Sequence, residues 1–353
     1  MKIVVLGGGI STERHVALVT ATSVCQALRR RGHQAVFVDL FFGLEDYHKP
    51  LEQAFSEPDG LCGRVALEKQ APDLDLVWKA RKYESKGHLG KNVVEICSMA
   101  DCVFLGLHGI DGEDGKIQAL LELIGVPYTG SGPLPSAVAM DKAMAKRVLE
   151  REGILTPAWQ EIVYKEDDIG KLTENLPIPC AVKVVNGGSS IGVELPDSRE
   201  ELRDALFRVL KIGNRVVVEE KILGREMTVP VLDGKALSPI EIIPPDGTSF
   251  NYVAKYQGGA DGAAEICPAK ITEKEASVLR SAAEKVHRNL KLSVYSRSDF
   301  ILDDAGRAWF LEVNTLPGMT PNSLIPKAAK VEGMTYDELC ERIVLLSLNE
   351  HRG

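Results

Sequence analysis

Residues 2–40 read KIVVLGGGISTERHVALVTATSVCQALRRRGHQAVFVDL. Ile3, Val4, Val5 and Leu6 form a short apolar run that ends in three glycines. A run that is apolar at successive positions suits a strand buried on both faces. Val16, Val19, Val24 and Leu28 then recur at roughly helical spacing, and Gly32 supplies the stop. QAVFVDL is a second strand. Strand, glycine turn, helix, strand is the opening of a parallel α/β domain.

The rest of the chain is organised around similar signals. Residues 41–92 are polar and irregular and read as an insertion with one helix. DCVFLGLHG is a buried strand ending at His108, and DGKIQALLELIGVPYTG a helix with Ile117, Leu120, Leu121 and Ile124 on one face and Gly125 as its C-cap. GSGPLP at 130–135 reads as a linker. DKAMAKRVLEREG is a helix capped by Asp141 and closed by Gly153. CAVKVV and RVVVEEKI are strands. EMTVPVLDGKALSPIEII is a hairpin turning at Asp233-Gly234. A long amphipathic helix over 273–290 turns Val278, Leu279, Ala282, Ala283 and Val286 inward. Strands at 294–302 and 307–314 and a last helix near 335–348 follow. The expected units are an N-terminal α/β domain at 1–130 and two α+β units at 131–218 and 219–353.

Composition narrows the function. The 353 residues are 44 % hydrophobic and 26 % charged, with a net charge of −8 and no basic block. That composition suits a globular chain and argues against non-specific nucleic-acid or membrane binding. No stretch approaches the ~20 apolar residues of a membrane span, and the N-terminal run lacks a signal-peptide pattern. The seven cysteines are odd in number and include no C-x-x-C pair, as expected of reduced thiols in a cytoplasmic protein.

The segment FILDDAGRAWFLEVNTLPGMTP at 300–321 places Glu312 and Asn314 two apart at the end of an apolar strand. Upstream, YSRSDF places Arg297 and Asp299 two apart on another. Taking DDAG as a four-residue loop pairs Leu302 with Arg307 and sets Asp299 opposite Phe310, with Glu312 its diagonal neighbour. All four polar residues then share one face. Oxygen-only donors without His or Cys suit a hard cation such as Mg²⁺. The alternative is a solvated strand face with cross-strand ion pairs.

Two glycine-rich loops add anion sites. NGGSSIG at 186–192 could close backbone N–H groups around anionic oxygens, with Lys183 as a point charge, or be a flexible turn. It lacks the Lys-Ser/Thr of a P-loop. GGGISTER resembles a dinucleotide fingerprint but has Thr12 where the last glycine belongs. It still opens a helix whose N–H groups face an anion. Glu13 there either complements the helix dipole or holds a substrate ammonium. HGIDGEDG lies at a strand's C-terminal end, where α/β proteins bind ligands, and its His108 either orients a substrate or is structural.

Taken in order, GGISTERHVAL, LHGIDGEDG, PYTGSG, AMDKAMAKRVL, VKVVNGGSSIGV, VEEKILGREMTV, FNYVAKY, SRSDF and LEVNTLPGMTPNSLIP resemble the D-alanine–D-alanine ligases of the ATP-grasp superfamily over nearly the whole chain. The resemblance implies an ATP-grasp fold: an N-terminal parallel, Rossmann-like α/β domain and two α+β domains clasping ATP. It implies ligation of two D-alanines through an acyl phosphate, for peptidoglycan precursors. It places Glu13 on the first substrate's ammonium and His108 beside that substrate. Ser189 would bond Tyr256, joining the 186–192 loop, which includes Ser190, to the lid. Lys142 and Lys183 would hold ATP phosphates, and Lys255 the γ-phosphate. Glu219 and Ile222 would meet adenine, and Glu226 the ribose. Asp299, Glu312 and Asn314 would bind two Mg²⁺ or Mn²⁺ ions. Arg297 and Gly318 would stabilise the tetrahedral intermediate, with Ser323 and Leu324 at the second substrate. Tyr256 resembles the dipeptide-forming type and so favours D-alanine over D-lactate, while D-serine stays open. Family members are commonly dimers, so a homodimer is expected. Ala17, the Ile110-Asp111 pair and the length of 41–92 depart from the common pattern. The rival readings are a non-catalytic nucleotide-binding regulator and an NAD-dependent oxidoreductase.

Overall fold

The structure is a computed structural model and describes residues 1–63, 72–187, 192–244 and 263–351. The first sheet has three parallel strands. β1 (Lys2–Gly7) lies in the middle, between β2 (Gln34–Asp39) and β3 (Cys102–Leu105). Ile3 to Leu6 are fully buried, as strands covered on both faces require. Helix α1 (Arg14–Arg30) packs tightly on them. A Cβ on Gly7 would lie 2.4 Å from Ala21 Cβ and 2.8 Å from the Ala17 carbonyl, so glycine at 7 and small residues at 17 and 21 set the approach. Strand β3 stops at Leu105, short of the expected His108, which lies in the loop beyond.

Residues 41–92 leave and re-enter at a backbone crossing. A Cβ on Gly43 would meet the Lys91 carbonyl at 2.2 Å, and one on Gly90 the Gly43 nitrogen at 2.1 Å. Between them lie a 3₁₀ turn (Leu51–Ser56) and helix α2 (Leu74–Ala80). Helices α3 (Val93–Ser98) and α4 (Lys116–Leu123) follow on either side of β3. The segment read as a linker instead begins helix α5 (Pro133–Met140). Its proline occupies the first turn, where the missing N–H costs nothing and the fixed φ already suits a helix. Helix α6 (Lys142–Arg151) is capped by the Asp141 carboxylate, which accepts from Met144 N at 2.8 Å.

The second sheet is antiparallel, in the order β4 (Trp159–Val163), β7 (Arg215–Glu220), β5 (Cys180–Val184), β6 (Val193–Glu194). Helices α7 (Ile169–Asn175) and α8 (Arg199–Leu210) bury Ile169, Leu202, Leu206 and Val209 against Val182, Val216 and Val218. Sequence patterning assigned neither helix.

The third sheet has the order β11 (Ala264–Ile266), β10 (Ile240–Ile243), β8 (Arg225–Leu232), β12 (Tyr295–Leu302), β13 (Ala308–Asn314), with β9 (Lys235–Ala236) also on β8. Asp233 and Gly234 both have positive φ, 55° and 70°, as a two-residue hairpin turn demands. Helix α9 (Glu273–Asn289) covers one face, with Leu279, Ala283 and Val286 against Met227, Val229, Phe300 and Phe310. Val278, expected inward, is exposed at the edge of that stripe. Helix α10 (Leu324–Val331) packs on β10. The last helix, α11 (Tyr336–Glu350), returns to α1 and places Leu339, Ile343 and Val344 in the core of the first sheet.

Candidate active site

Strands β12 and β13 present the open face of the third sheet. Their register differs from the simplest reading of the sequence. Leu302 pairs with Ala308, not Arg307, because the turn takes one more residue. The Asp303 carboxylate holds that turn by accepting from Ala305 N, Arg307 N and Trp309 Nε1. A bulge between Asp299 and Phe300 then adds a second shift, so Asp299 faces Glu312 directly and Arg297 faces Asn314. A one-residue slip moves side chains to the opposite face. Two slips in the same direction restore it, and the four polar residues share one face in closer pairing than expected.

The carboxylates on that face are already matched by cations. Arg297 Nε and Nη2 donate to the two Asp299 oxygens at 3.1 Å, and Thr228 Oγ1 donates to Oδ1 at 2.5 Å. Asn314 Nδ2 approaches Asp299 Oδ2 at 3.4 Å. Lys142 Nζ lies 3.1 Å from Glu312 Oε2 and donates to the Gly187 carbonyl at 2.5 Å. Among the described residues no three His, Cys, Asp or Glu side chains form a metal cage. Two carboxylates and an amide oxygen are instead the donors a hard cation takes when waters and phosphate oxygens complete its shell.

A second cluster lies beneath the second sheet. Glu219, only 1 % exposed, forms ion pairs with Lys146, whose Nζ lies 2.8 Å from Oε2, and with Lys183 through Oε1. Burial pushes its carboxyl up, and the two ammonium groups more than reverse this, leaving it below the usual carboxylate range. Burial lowers Lys146 against the pull of Glu219. Lys146 Nζ also donates to Thr156 Oγ1 at 2.5 Å. Glu226 lies on the open face of β8 beside Ile301, and Ile222 lies in the turn after β7.

The third cluster joins the first sheet to the hairpin. The Leu316 carbonyl can only accept, so His108 Nδ1, at 2.8 Å, carries a proton, and in the neutral ring Nε2 accepts from Thr20 Oγ1 at 3.1 Å. Glu13 is buried at the start of α1 over Gly109. Glu113 accepts from Gly109 N at 3.0 Å through one oxygen, and from Thr315 N and Leu316 N at 3.1 and 3.0 Å through the other. Burial, then the nearby Glu13 carboxylate, push Glu113 up to about 7 against those N–H groups and Arg297. Ser323 Oγ accepts from Thr320 N and lies 3.0 Å from where a Gly318 Cβ would stand, and Leu324 is buried behind it.

The structure thus gathers Arg297, Asp299, Glu312, Asn314 and Lys142, pairs Lys183 with Glu219, and sets Gly318 against Ser323. A cavity lined by Glu113, Lys142, Gly187, Glu312 and Asn314 joins the hairpin to the third cluster. Ser189, Ser190, Lys255 and Tyr256 lie outside the described residues. Sequence reasoning missed Glu113, Lys146 and Thr228. Glu113 stood inside HGIDGEDG, and Lys146 one helical turn after Lys142. Thr228 carried no signal, being one threonine in a strand.

Comparison with known proteins gives a consistent answer. The chain matches the models for the N-terminus of D-ala D-ala ligases over residues 2–131 and for their C-terminus over 148–345. The D-alanine–D-alanine ligase of Lacticaseibacillus casei is 39 % identical over 345 residues, covering 98 % of this chain and 95 % of that one. That of Aquifex aeolicus is 36 % identical over 344 residues, covering 98 % and 100 %. Among solved structures, the Bacillus anthracis D-alanine–D-alanine ligase complexed with ATP superposes with a TM-score of 0.71 at 28 % identity, over 100 % of this chain and 98 % of that one. The three sheets, the polar face of the third and these full-length matches lead to one conclusion: the chain belongs to the D-alanine–D-alanine ligase family.

Proposed function

We propose that this protein joins two D-alanines to D-alanyl-D-alanine at the cost of ATP, as a step toward peptidoglycan precursors. A carboxylate is a poor acyl donor until one oxygen becomes a phosphate leaving group. The first D-alanine's carboxylate oxygen attacks the γ-phosphorus, and ADP leaves. The amine of the second attacks the acyl carbon, phosphate departs, and the amine loses a proton. This chemistry needs charge neutralisation more than a nucleophilic side chain. The observation that carries the reading is the polar face of the third sheet. Arg297, Asp299, Glu312 and Asn314 share it, and Lys142 closes on Glu312.

In this reading Asp299, Glu312 and Asn314 would hold two Mg²⁺ or Mn²⁺ ions, whose chemistry is neutralisation of the phosphate oxygens. Lys142 and Lys183, joined by Lys255, hold phosphates. Glu219 and Ile222 meet the base, and Glu226 the ribose. Glu13 and His108 hold the first D-alanine, and Ser189 and Tyr256 close the lid. Arg297 and the Gly318 N–H face the developing oxyanion, and Ser323 and Leu324 the second substrate. The three units 1–130, 131–218 and 219–353, a homodimer and a cytoplasmic location belong to the same proposal. No helix among the described residues is long and apolar enough to cross a membrane.

The test is a mass spectrum of products from one mixture of protein, MgATP, D-alanine, D-lactate and D-serine. D-alanyl-D-alanine with ADP is expected, and a folded, ATP-binding sample that yields no ligation product overturns the proposal. Glu312→Ala abolishes turnover while preserving the fold, and turnover near normal removes the metal assignment.

A further inference from the structure

Two lysines share one buried carboxylate, and their exposures differ. Lys146 is fully buried, with Nζ held between Glu219 Oε2 at 2.8 Å and Thr156 Oγ1 at 2.5 Å. Lys183, on the other Glu219 oxygen, is 8 % exposed and stands on the strand that leads to the 186–192 loop. Glu219 thus has two ammonium partners, and the Glu150 carboxylate also acts on Lys146 from the next turn of its helix. Lys183, which keeps some exposed surface, can leave for an incoming phosphate, whereas the fully enclosed Lys146 cannot.

We propose that Lys146 is a positioning residue: it holds Glu219 ionised after Lys183 moves to phosphate, and so makes the nucleotide site demand an amino group on the purine. The inference rests on the reading of Glu219 as the base-facing residue. An ionised carboxylate only accepts hydrogen bonds, so it pairs with the exocyclic amine of adenine and repels a carbonyl at that position. A buried carboxylate that lost every counter-ion would take up a proton. It could then donate to a carbonyl, and the distinction would weaken. Among the described residues, the charged groups facing Glu219 are Lys146 from α6 and Lys183 from β5. Across the sheet it meets Ala181 and Trp159. Glu150, one turn beyond Lys146, is occupied by Trp159 Nε1 at 2.8 Å. Lys146 has no exposed surface, so it acts through Glu219 and not by touching nucleotide.

The test compares dissociation constants for ATP and ITP by calorimetry on the full chain with Mg²⁺. ITP carries a carbonyl where ATP carries the amine. Lys146→Met narrows the ATP preference by about tenfold or more. Glu219→Gln narrows it similarly, and the double variant matches Glu219→Gln alone, because Lys146 works through that carboxylate. A preference kept within about twofold in Lys146→Met, when Glu219→Gln does narrow it, overturns the role of Lys146. A preference unchanged by Glu219→Gln overturns the base-facing reading itself. A wild-type measurement stands in if Lys146→Met does not fold. The ATP preference stays flat from about pH 8 to about pH 5.5 while Glu219 is held charged, and a collapse toward pH 5.5 refutes the proposal.

Discussion

Glu113→Ala removes the acceptor of three buried backbone N–H groups, those of Gly109, Thr315 and Leu316. Each buried donor left without a partner costs about 1–3 kcal/mol, and water entering the vacated space recovers part, so the expected loss is about 3–6 kcal/mol. Glu113→Gln is milder. It keeps one oxygen for Thr315 and Leu316 but turns an amide N–H toward Gly109, costing about 1–3 kcal/mol. The two glutamate forms also separate with pH. A carboxyl raised from 4.5 to about 7 contributes its full share of stability below pH 4.5 and loses it as pH rises through 7. That displacement is worth about 3 kcal/mol. The gap between wild type and Glu113→Gln therefore shrinks by up to about 3 kcal/mol between pH 5 and 8. Urea denaturation at both pH values reads the gap, and titrating groups that do not interact with Glu113 cancel in the difference. Hydrogen exchange over residues 311–320 reads the N–H groups directly. A Glu113→Ala loss below about 1 kcal/mol with unchanged exchange would refute the bonding argument. A gap that ignores pH would refute the raised carboxyl.

Burial pushes the His287 imidazole from 6.5 down to about 4, where its Nδ1 lies 2.8 Å from Ser296 Oγ. The stability of the neutral form is fully present above pH 6.5 and lost as pH falls toward 4, a decline of about 3 kcal/mol that thermal melts show and that His287→Gln removes. Phe310 is fully buried with its ring 6.0 Å from Phe300. Phe310→Ala costs about 3–5 kcal/mol in urea denaturation, because α9 cannot collapse onto the space, and a cost under about 1.5 kcal/mol shows that the back of the hairpin repacks.

Much of this architecture is written in short-range pattern. The buried run at 3–6, the helix at 14–30, the Asp233-Gly234 turn and the long helix capped by Thr272 each follow from residues close together in the chain. Period and cap chemistry act over a few positions, and the shared face of Arg297, Asp299, Glu312 and Asn314 follows from the two-residue period of a strand. Composition misleads where position in the element matters more, as at Pro133, whose glycine- and proline-rich stretch starts a helix because proline suits the first turn. The direct pairing of Asp299 with Glu312 needed the length of the turn, which Asp303 and Gly306 set locally, and a bulge, which has no local signature. Glu113 became a buried acceptor only because β13 ends on it from some two hundred residues away in sequence. Lys146 met Glu219 because α6 packs beneath the second sheet. Periodicity states which way a side chain points along its own element. What it meets there is decided by how distant elements pack, and that belongs to the tertiary structure.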